Sequence, residues 1–402
     1  MTKPRFRGSF TQQEPICEAG IAAALAVMRS GRLHRYNTAA DETAEAALLE
    51  RDFAAWQGAR FCLAVTSGGQ AMQIAMRAAG VAPGDTVLTN AFTLAPVPGA
   101  IAAIGARTAL VEITPDLVLD LEDFDAKARA TGARWLLLSH MRGHLCDMDR
   151  LTEIAAARGV TVIEDCAHTM GAAWAGRRSG GFGLAGCFST QTYKHMNSGE
   201  GGLLTSDDEG FMARATILSG SYMLHDRHGA GPQAEAFADA RLDMPNLSAR
   251  MDNLRAALLR PQIARLDANL DRWNALHDRL AHRLRDHPAL RLPARPPEER
   301  YVGSSIQVTI PGIGAEAAAA FVNRAAADGV ELKWFGAPAP AGFTSSHRNW
   351  RYVPAQTLPR TDAILSGLFD MRLPLTFGPA DCDAIAEVIR DTADATGRAR
   401  SA

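Results

Sequence analysis

Lys194 lies in the stretch Phe188-Ser189-Thr190-Gln191-Thr192-Tyr193-Lys194-His195-Met196-Asn197-Ser198-Gly199-Glu200-Gly201-Gly202, a turn of small residues and glycines between two apolar runs. Such a lysine can be partly desolvated. Burial disfavours the ammonium form, and the free amine that remains can add to a carbonyl and form a Schiff base. On its own the residue also fits an ordinary solvated lysine. Three other places in the chain narrow the choice. Ser67-Gly68-Gly69 stands between an apolar run, 61–65, and a helix that should begin near Gln70. Glycines at a helix start let the backbone approach a ligand, and the free N–H groups and helix dipole favour an anion such as phosphate. A plain Ser N-cap accounts for the same residues. Asp165 ends the run Val160-Thr-Val-Ile-Glu-Asp, where its carboxylate could pair with a protonated ring nitrogen, cap a helix or join a salt bridge. His168, three residues on, could flank the same ligand or be a structural histidine. The Ser189 hydroxyl could join the phosphate site or belong to a plain loop. Taken in order, a phosphate loop, an acidic strand end, then Ser and Lys suit pyridoxal phosphate: an anchored phosphate, an Asp on the pyridine nitrogen and a Lys Schiff base.

These residues need a scaffold that brings them to one edge. Strand-like runs are expected at 86–89, 108–113, 134–139, 160–163, 184–189 and 202–205, with alanine-rich helices at 70–79, 97–104, 121–130 and 149–158. Continuous apolar strands alternating with helices imply an α/β fold with a mostly parallel sheet covered on both faces. Ligands bind such sheets beyond the strand carboxyl ends, and the motifs above fall there. A long helix is expected over 248–284, and the proline-rich stretch 288–297 reads as a junction. Strands at 305–310 and 331–334 and helices at 315–328 and 380–391 then form a second, small α+β unit. The expected division is an N-terminal arm over 1–35, a large cofactor domain over 36–287 and a small C-terminal domain over 288–402.

The bulk composition excludes several classes of function. With 42 basic and 44 acidic residues among 402 and a net charge of −2, no nucleic-acid partner is indicated. The six cysteines have no paired metal spacing, so no metal site is expected, and they read as buried apolar residues of a reducing compartment. The apolar run 21–28 is too short to cross a membrane, and Glu14 and Glu18 precede it where a secretion signal wants positive charge. A cytoplasmic protein without membrane contact is the expectation.

At this point the chain resembles the DegT/StrS family of sugar and cyclitol aminotransferases, fold-type-I pyridoxal-phosphate enzymes. The family's phosphate loop, usually Ser-Gly-Thr, stands as Ser67-Gly68-Gly69, and its Pro-Gly-Asp turn as Pro83-Gly84-Asp85. Its His-x-x-Gly and Asp-Met-Asp segments match His140-Met141-Arg142-Gly143 and Asp147-Met148-Asp149. Glu164-Asp165-Cys166-Ala167-His168, Gly176-Arg177-Arg178, Gly181-Phe182-Gly183 and the complete Phe-Ser…Lys…Gly-Glu-Gly-Gly signature follow. Arg250-Met251 and Leu254-Arg255-Ala256-Ala257 resemble the start of a family helix. The resemblance implies that Lys194 forms the Schiff base, that Asp165 binds the pyridine nitrogen with His168 near the ring oxygen, and that Ser67, Gly68, Gly69 and Ser189 hold the phosphate. It also implies a homodimer with shared active sites and a role for Arg250 across the interface.

The departures from the family pattern gather around the same cofactor. Leu94 stands where a stacking Phe or Trp is usual, and Phe92 is the nearest substitute. His195 replaces an Asn, Ser248 replaces another, Leu184 an Asp, and Arg142 an aromatic. Arg142 could bind a carboxylate of donor or acceptor, although a solvated surface arginine fits it equally; His195 and Arg250 are further candidates for substrate contact. The implied reaction moves an amino group from glutamate or glutamine to a ketone acceptor such as a keto sugar or cyclitol in a biosynthetic pathway. Dehydration, elimination or replacement on the same cofactor is the alternative, and a non-catalytic regulator that binds pyridoxal phosphate is a second.

Overall fold

The computed structural model describes residues 5–401, with side chains through residue 396. The strands in chain order are β1 (Phe61–Val65), β2 (Thr86–Asn90), β3 (Arg107–Val111), β4 (Trp135–Ser139), β5 (Thr161–Asp165), β6 (Ala173–Trp174), β7 (Arg177–Arg178), β8 (Ala185–Ser189), β9 (Gly202–Ser206), β10 (Glu299–Arg300), β11 (Ser305–Thr309), β12 (Lys333–Trp334) and β13 (Leu368–Arg372). Seven of them form the central sheet in the order β1-β9-β8-β5-β4-β2-β3. Its pairings are parallel from β3 through β8, and β9 runs antiparallel to both β8 and β1.

Side-chain alternation explains why both faces of this sheet are dry. Successive residues of a strand point to opposite faces. Cys62 and Ala64 of β1, Leu136 and Leu138 of β4 and Val162 of β5 enter one apolar cluster with Phe53, Phe124 and Phe188. Their neighbours Phe61, Leu63, Val65, Leu137 and Ile163 enter another with Ile74, Met76 and Phe211. Strands that are apolar at every position therefore have helices on both sides, as the continuous runs predict. The helices are punctuated at their ends: Asp120, Asp147 and Asp208 cap N-termini with their carboxylates, and Gly80, Gly132 and Gly159 close C-termini in the left-handed conformation.

The second sheet, β11-β13-β12, is antiparallel and packs with helices Ala315–Ala327 and Pro379–Ser401. Between the two sheets β10 returns to pair with β6, so the chain beyond residue 287 laces back onto the large layer before it enters the small sheet. At the N-terminus Phe6 and Phe10 pack edge-on against Phe377, with ring centroids 5.2 and 5.1 Å from it, and tie the arm to the small unit.

Two expected boundaries move. The long helix runs Asn253–Arg285, five residues later than the apolar pattern suggests. Ser248 has φ 51°, and the residues after it lie extended against β1, where Thr66 N–H bonds Ala249 O at 2.9 Å; Asp252 then caps the helix by accepting from Arg255 N–H. The strand expected at 331–334 is paired only at Lys333–Trp334. The helix Glu45–Gln57 was not among the expected elements, although its buried positions Ala46, Leu49, Glu50, Phe53, Ala54 and Gln57 recur at helical spacing.

One buried ion pair anchors the Glu45–Gln57 helix. Arg35 donates Nη1 and Nη2 to the two oxygens of Glu50 at 2.7 and 2.8 Å, and Ala64 N–H of β1 donates to the same carboxylate at 2.8 Å. Burial pushes the Glu50 pKa up, but Arg35 and His228 outweigh it and hold it at about 2. Removing one partner leaves the other charge buried alone. Glu50→Ala is expected to destabilise the fold by about 3–5 kcal/mol, read as a lowered denaturation midpoint in urea.

Candidate functional site

The parallel register brings polar strand ends together. Ser139 of β4 lies opposite Asp165 of β5, and Ser189 of β8 opposite Gly202 of β9, which also faces Val65 of β1. Ser139 Oγ donates to Asp165 Oδ2 at 2.9 Å, and Ala167 N–H donates to Asp165 Oδ1 at 3.1 Å. Thr93 Oγ1 donates to Ser139 Oγ at 2.7 Å, and Asn90 clamps the Ser139 backbone on both its N–H and its C=O. Burial raises the Asp165 pKa, opposed by the Ala167 N–H, Lys194 and Ser139. The carboxylate is thus held in one orientation at the floor of a cavity of ≈ 310 Å³.

The phosphate-type loop and the lysine loop abut on the same cavity. Ser67 Oγ accepts from Gln70 N–H at 3.1 Å, which fulfils its capping role and leaves the N–H groups of Gly68 and Gly69 at the cavity wall, where a helix cannot satisfy them internally. A Cβ at Gly68 would crowd Ser189 Cβ at 3.0 Å, and Gly202 has to be glycine, because a Cβ there would meet the Ser67 carbonyl oxygen at 2.4 Å. At Gly69 a Cβ would meet only Ser67 Oγ at 3.7 Å, so open space lies over this helix start.

Lys194 is positioned by its own turn and by the long helix. Its N–H bonds Gln191 O at 2.8 Å, and Gln262 holds Asn197 by accepting its N–H at 2.9 Å and donating to its carbonyl at 2.8 Å. Lys194 Nζ lies 3.0 Å from His168 Nε2. Burial, then the charges of Lys194 and Arg142, push the His168 pKa far down, so its imidazole is neutral. Burial also drives Lys194 down to about 7, helped by Arg142 and opposed by Asp165. The cavity therefore offers a free amine at neutral pH, an oriented carboxylate and an anion cradle, and these three groups fit pyridoxal phosphate.

Most of the residues singled out in the sequence line this cavity: Ser67, Gly68, Gly69, Asp165, His168, Ser189, Lys194 and Arg142. Arg142 is not a surface arginine. It is 5% exposed, has φ 58°, and its Nη2 lies 2.7 Å from Asp370 Oδ2. Three others lie elsewhere. Phe92 is core, 1% exposed and edge-on to Phe335 at 5.0 Å, and Leu94 occupies the wall in its place. His195 turns to a smaller adjoining cavity, bonds Ser304 Oγ at 3.1 Å, and is held neutral by burial and by Lys194, its pKa falling to about 3. Arg250 donates to Gly220 O, outside the cavity lining. The sequence reading missed Asn90, Thr93 and Ser139 behind Asp165, although two of them are polar residues at the ends of apolar strands. It also missed Glu164, which accepts from His140 Nε2 at 2.9 Å and from the N–H groups of Gly180, Phe182 and Gly183, and so clamps the 180–183 loop.

A mostly parallel sheet of this order, carrying such a cavity at its carboxyl edge, is the architecture of fold-type-I pyridoxal-phosphate transferases. The model of the DegT/DnrJ/EryC1/StrS aminotransferase family matches residues 16–390, and the chain belongs to this family. Similar proteins include the 3-amino-5-hydroxybenzoate synthase of Amycolatopsis mediterranei (strain S699), 32% identical over 369 residues that span 87% of this chain and 89% of that one. The L-glutamine:scyllo-inosose aminotransferase of Streptomyces griseus is 31% identical over 66% of this chain and 59% of its own length. The crystal structure of 3-amino-5-hydroxybenzoic acid synthase superposes with a TM-score of 0.82, at 26% identity, over 97% of this chain and 99% of that chain. The protein is a pyridoxal-phosphate-dependent aminotransferase acting on small molecules. Among the described residues no helix is long and apolar enough to cross a membrane.

The depressed lysine gives a direct pH prediction. In cofactor-free protein the reaction of Lys194 with trinitrobenzenesulfonate should rise as pH climbs through about 7 rather than near the ordinary 10.5. Arg142→Gln removes a positive charge that disfavours the ammonium, so its midpoint should move upward but stay below 10.5, because burial is the larger cause. Peptide mass mapping of the modified lysine across pH reads both.

Proposed function

We propose that Lys194 carries the covalent link to pyridoxal phosphate and that the enzyme moves an amino group from glutamate or glutamine to a cyclic ketone, a keto sugar or cyclitol. The observation that carries this reading is the buried Lys194 amine, 3.0 Å from His168 Nε2, in a cavity that also holds Asp165 and the Gly68 and Gly69 N–H groups. The name of the Streptomyces relative, which pairs L-glutamine with scyllo-inosose, supports the donor and the acceptor class.

The roles follow from position. Gly68, Gly69 and Ser189 hold the phosphate. Asp165, fixed by Ser139 and Ala167, accepts the pyridine N–H and keeps that nitrogen protonated. When bound, the cofactor supplies the electron sink. Lys194, once displaced by the amino donor, would take the donor's α-proton as general base and hand it on the same face, as acid, to the carbon that was the cofactor's aldehyde, a task suited to an amine with a pKa of about 7. The hydrogen bond between His168 Nε2 and the Lys194 amine limits the rotamers of the lysine. Leu94 closes the wall where a stacking ring is usual and excludes water from that face.

The functional unit in this reading is a cytoplasmic homodimer. Ile21, Leu25 and Met28 on one helix, and Tyr222 and Met223 on the irregular segment, are exposed apolar residues that a second copy would cover. Arg250 lies beside that segment through Gly220, which suits a role at the shared boundary.

Cofactor-loaded protein should lose its visible absorbance band when glutamate or glutamine is added and release the corresponding 2-oxo acid. Lys194→Ala should lower this half-reaction by about 100-fold or more. A protein that binds no pyridoxal phosphate, or a Lys194→Ala variant with full turnover, would sink the reading. Sedimentation equilibrium should return twice the chain mass.

A further inference from the structure

The small sheet presents a polar stripe that the transamination chemistry does not use. Along β13, Phe369 and Met371 enter the core while Asp370 and Arg372 share the opposite face. Register places Lys333 and Gln307 on either side of Asp370 and Ser305 beside Arg372. Gln307 Nε2 donates to Asp370 Oδ1 at 2.9 Å, and Lys333 Nζ lies 3.9 Å from Asp370 Oδ2. From the large layer Arg142 reaches the same oxygen at 2.7 Å. Two cations, Arg142 and Lys333, thus meet one buried carboxylate, and Arg372 stands on the same face of the strand without joining the pair. Among the described residues Arg372 has no ion pair within 4.0 Å; its guanidinium lies over the Tyr193 ring, 3.9 Å from the centroid. Arg142 Nε is buried and has no hydrogen-bond acceptor.

Buried Arg142 and half-buried Lys333 and Arg372 outnumber the one carboxylate among them, an excess of positive charge that is unfavourable unless an anion joins it. Of the other acids on the cavity wall, Asp165 is engaged by Ser139, and Glu200 is exposed on the lysine loop. Arg142 and Arg372 both line the cavity. Paired guanidinium forks match a planar carboxylate. An anion held by Arg142 and Arg372 shares one cavity with the Lys194 amine, because all three side chains line it.

We propose that Arg142 and Arg372, backed by Lys333, form a carboxylate subsite, and that the acceptor is a cyclic ketone with a carboxylate a few bonds from its carbonyl. Donor and acceptor occupy the cavity in turn, so the donor's carboxylate uses the same subsite. This rests on the ketone-acceptor reading above. Asp370 is the resident counterion that the substrate's carboxylate relieves.

The test uses the pyridoxamine-phosphate form of the enzyme and matched probes. Calorimetry compares cyclohexanecarboxylate with cyclohexanecarboxamide, and single-turnover kinetics compares 3-oxocyclohexane-1-carboxylate with its carboxamide. The carboxylate of each pair should be preferred by about tenfold or more, the scale of a charge-assisted hydrogen bond. Arg372→Gln, at a half-buried position, should reduce both preferences toward parity, as should Arg142→Gln. Asp370→Asn should do the opposite and tighten carboxylate binding, a sign that loss of packing alone would not produce. Equal affinity for acid and amide in the unmodified enzyme overturns the subsite. Variants that slow only the glutamate half-reaction and leave acceptor preference intact overturn the claim about the acceptor. If no amino donor discharges the cofactor, the aminotransferase reading fails while the calorimetric preference still reports on the subsite.

Discussion

Everything at this site depends on keeping the amine of Lys194 out of water. A lysine surrounded by solvent stays protonated at neutral pH and cannot attack a carbonyl. Here burial is the first cause of its lowered pKa, and nearby cations deepen the effect. Asp165 pulls the other way, but only as far as its own fixed position allows, with Ser139 and Ala167 holding its oxygens toward the cavity floor. The two groups are coupled: a carboxylate free to swing onto the lysine would pair with the ammonium and remove the nucleophile.

Holding such groups apart requires a rigid base. The central sheet supplies it because β4, β5 and β8 are parallel: Ser139 lies opposite Asp165, Asp165 lies opposite Cys187, and Ser189 ends β8 two residues further on, so three polar residues stand at neighbouring carboxyl ends. Such a line is expensive to bury, and side chains packed behind it supply its hydrogen bonds. Asn90 and Thr93 satisfy Ser139, and Glu164 gathers the 180–183 loop from beneath. Close backbone contact between Gly202 and Ser67 locks the antiparallel strand and the helix start together, so the anion cradle and the lysine turn move as one body.

Much of this was legible in the sequence, for a physical reason. Apolar strands, capping aspartates and glycine turns are local signals, and the residues that act on a cofactor are fixed by chemistry common to any such cofactor. Lys194, Asp165, His168 and the Ser67-Gly68-Gly69 loop accordingly lie around one cavity. What was not legible depends on contacts between distant segments. Phe92 looked like a stacking ring because aromatic character can be read from type, but its direction is set by Phe335, far away in the chain. The late start of the long helix follows from Ser248 at positive φ and from pairing to β1, neither of which alters apolar periodicity. The polar alternation of Asp370 and Arg372 was present in the sequence, yet a two-residue pattern in a short strand carries meaning only when Lys333 and Arg142 are seen beside it.

The two sheets divide the labour of the site. The large sheet carries what any acceptor would require: an amine, a carboxylate and an anion cradle on strand ends with satisfied hydrogen bonds. The small sheet contributes charged side chains that are less completely satisfied, with Arg372 resting on an aromatic ring, and Arg142 meets them from the turn after β4 with its Nε buried and without an acceptor. Cofactor chemistry tolerates little geometric error, so its groups sit where backbone register fixes them. Substrate choice needs only a charge of the right sign at the right depth, and long side chains from separate elements can provide that. This is why the departures from the family pattern at Leu94 and Arg142 lie on the wall of the cavity, while its floor keeps the family residues.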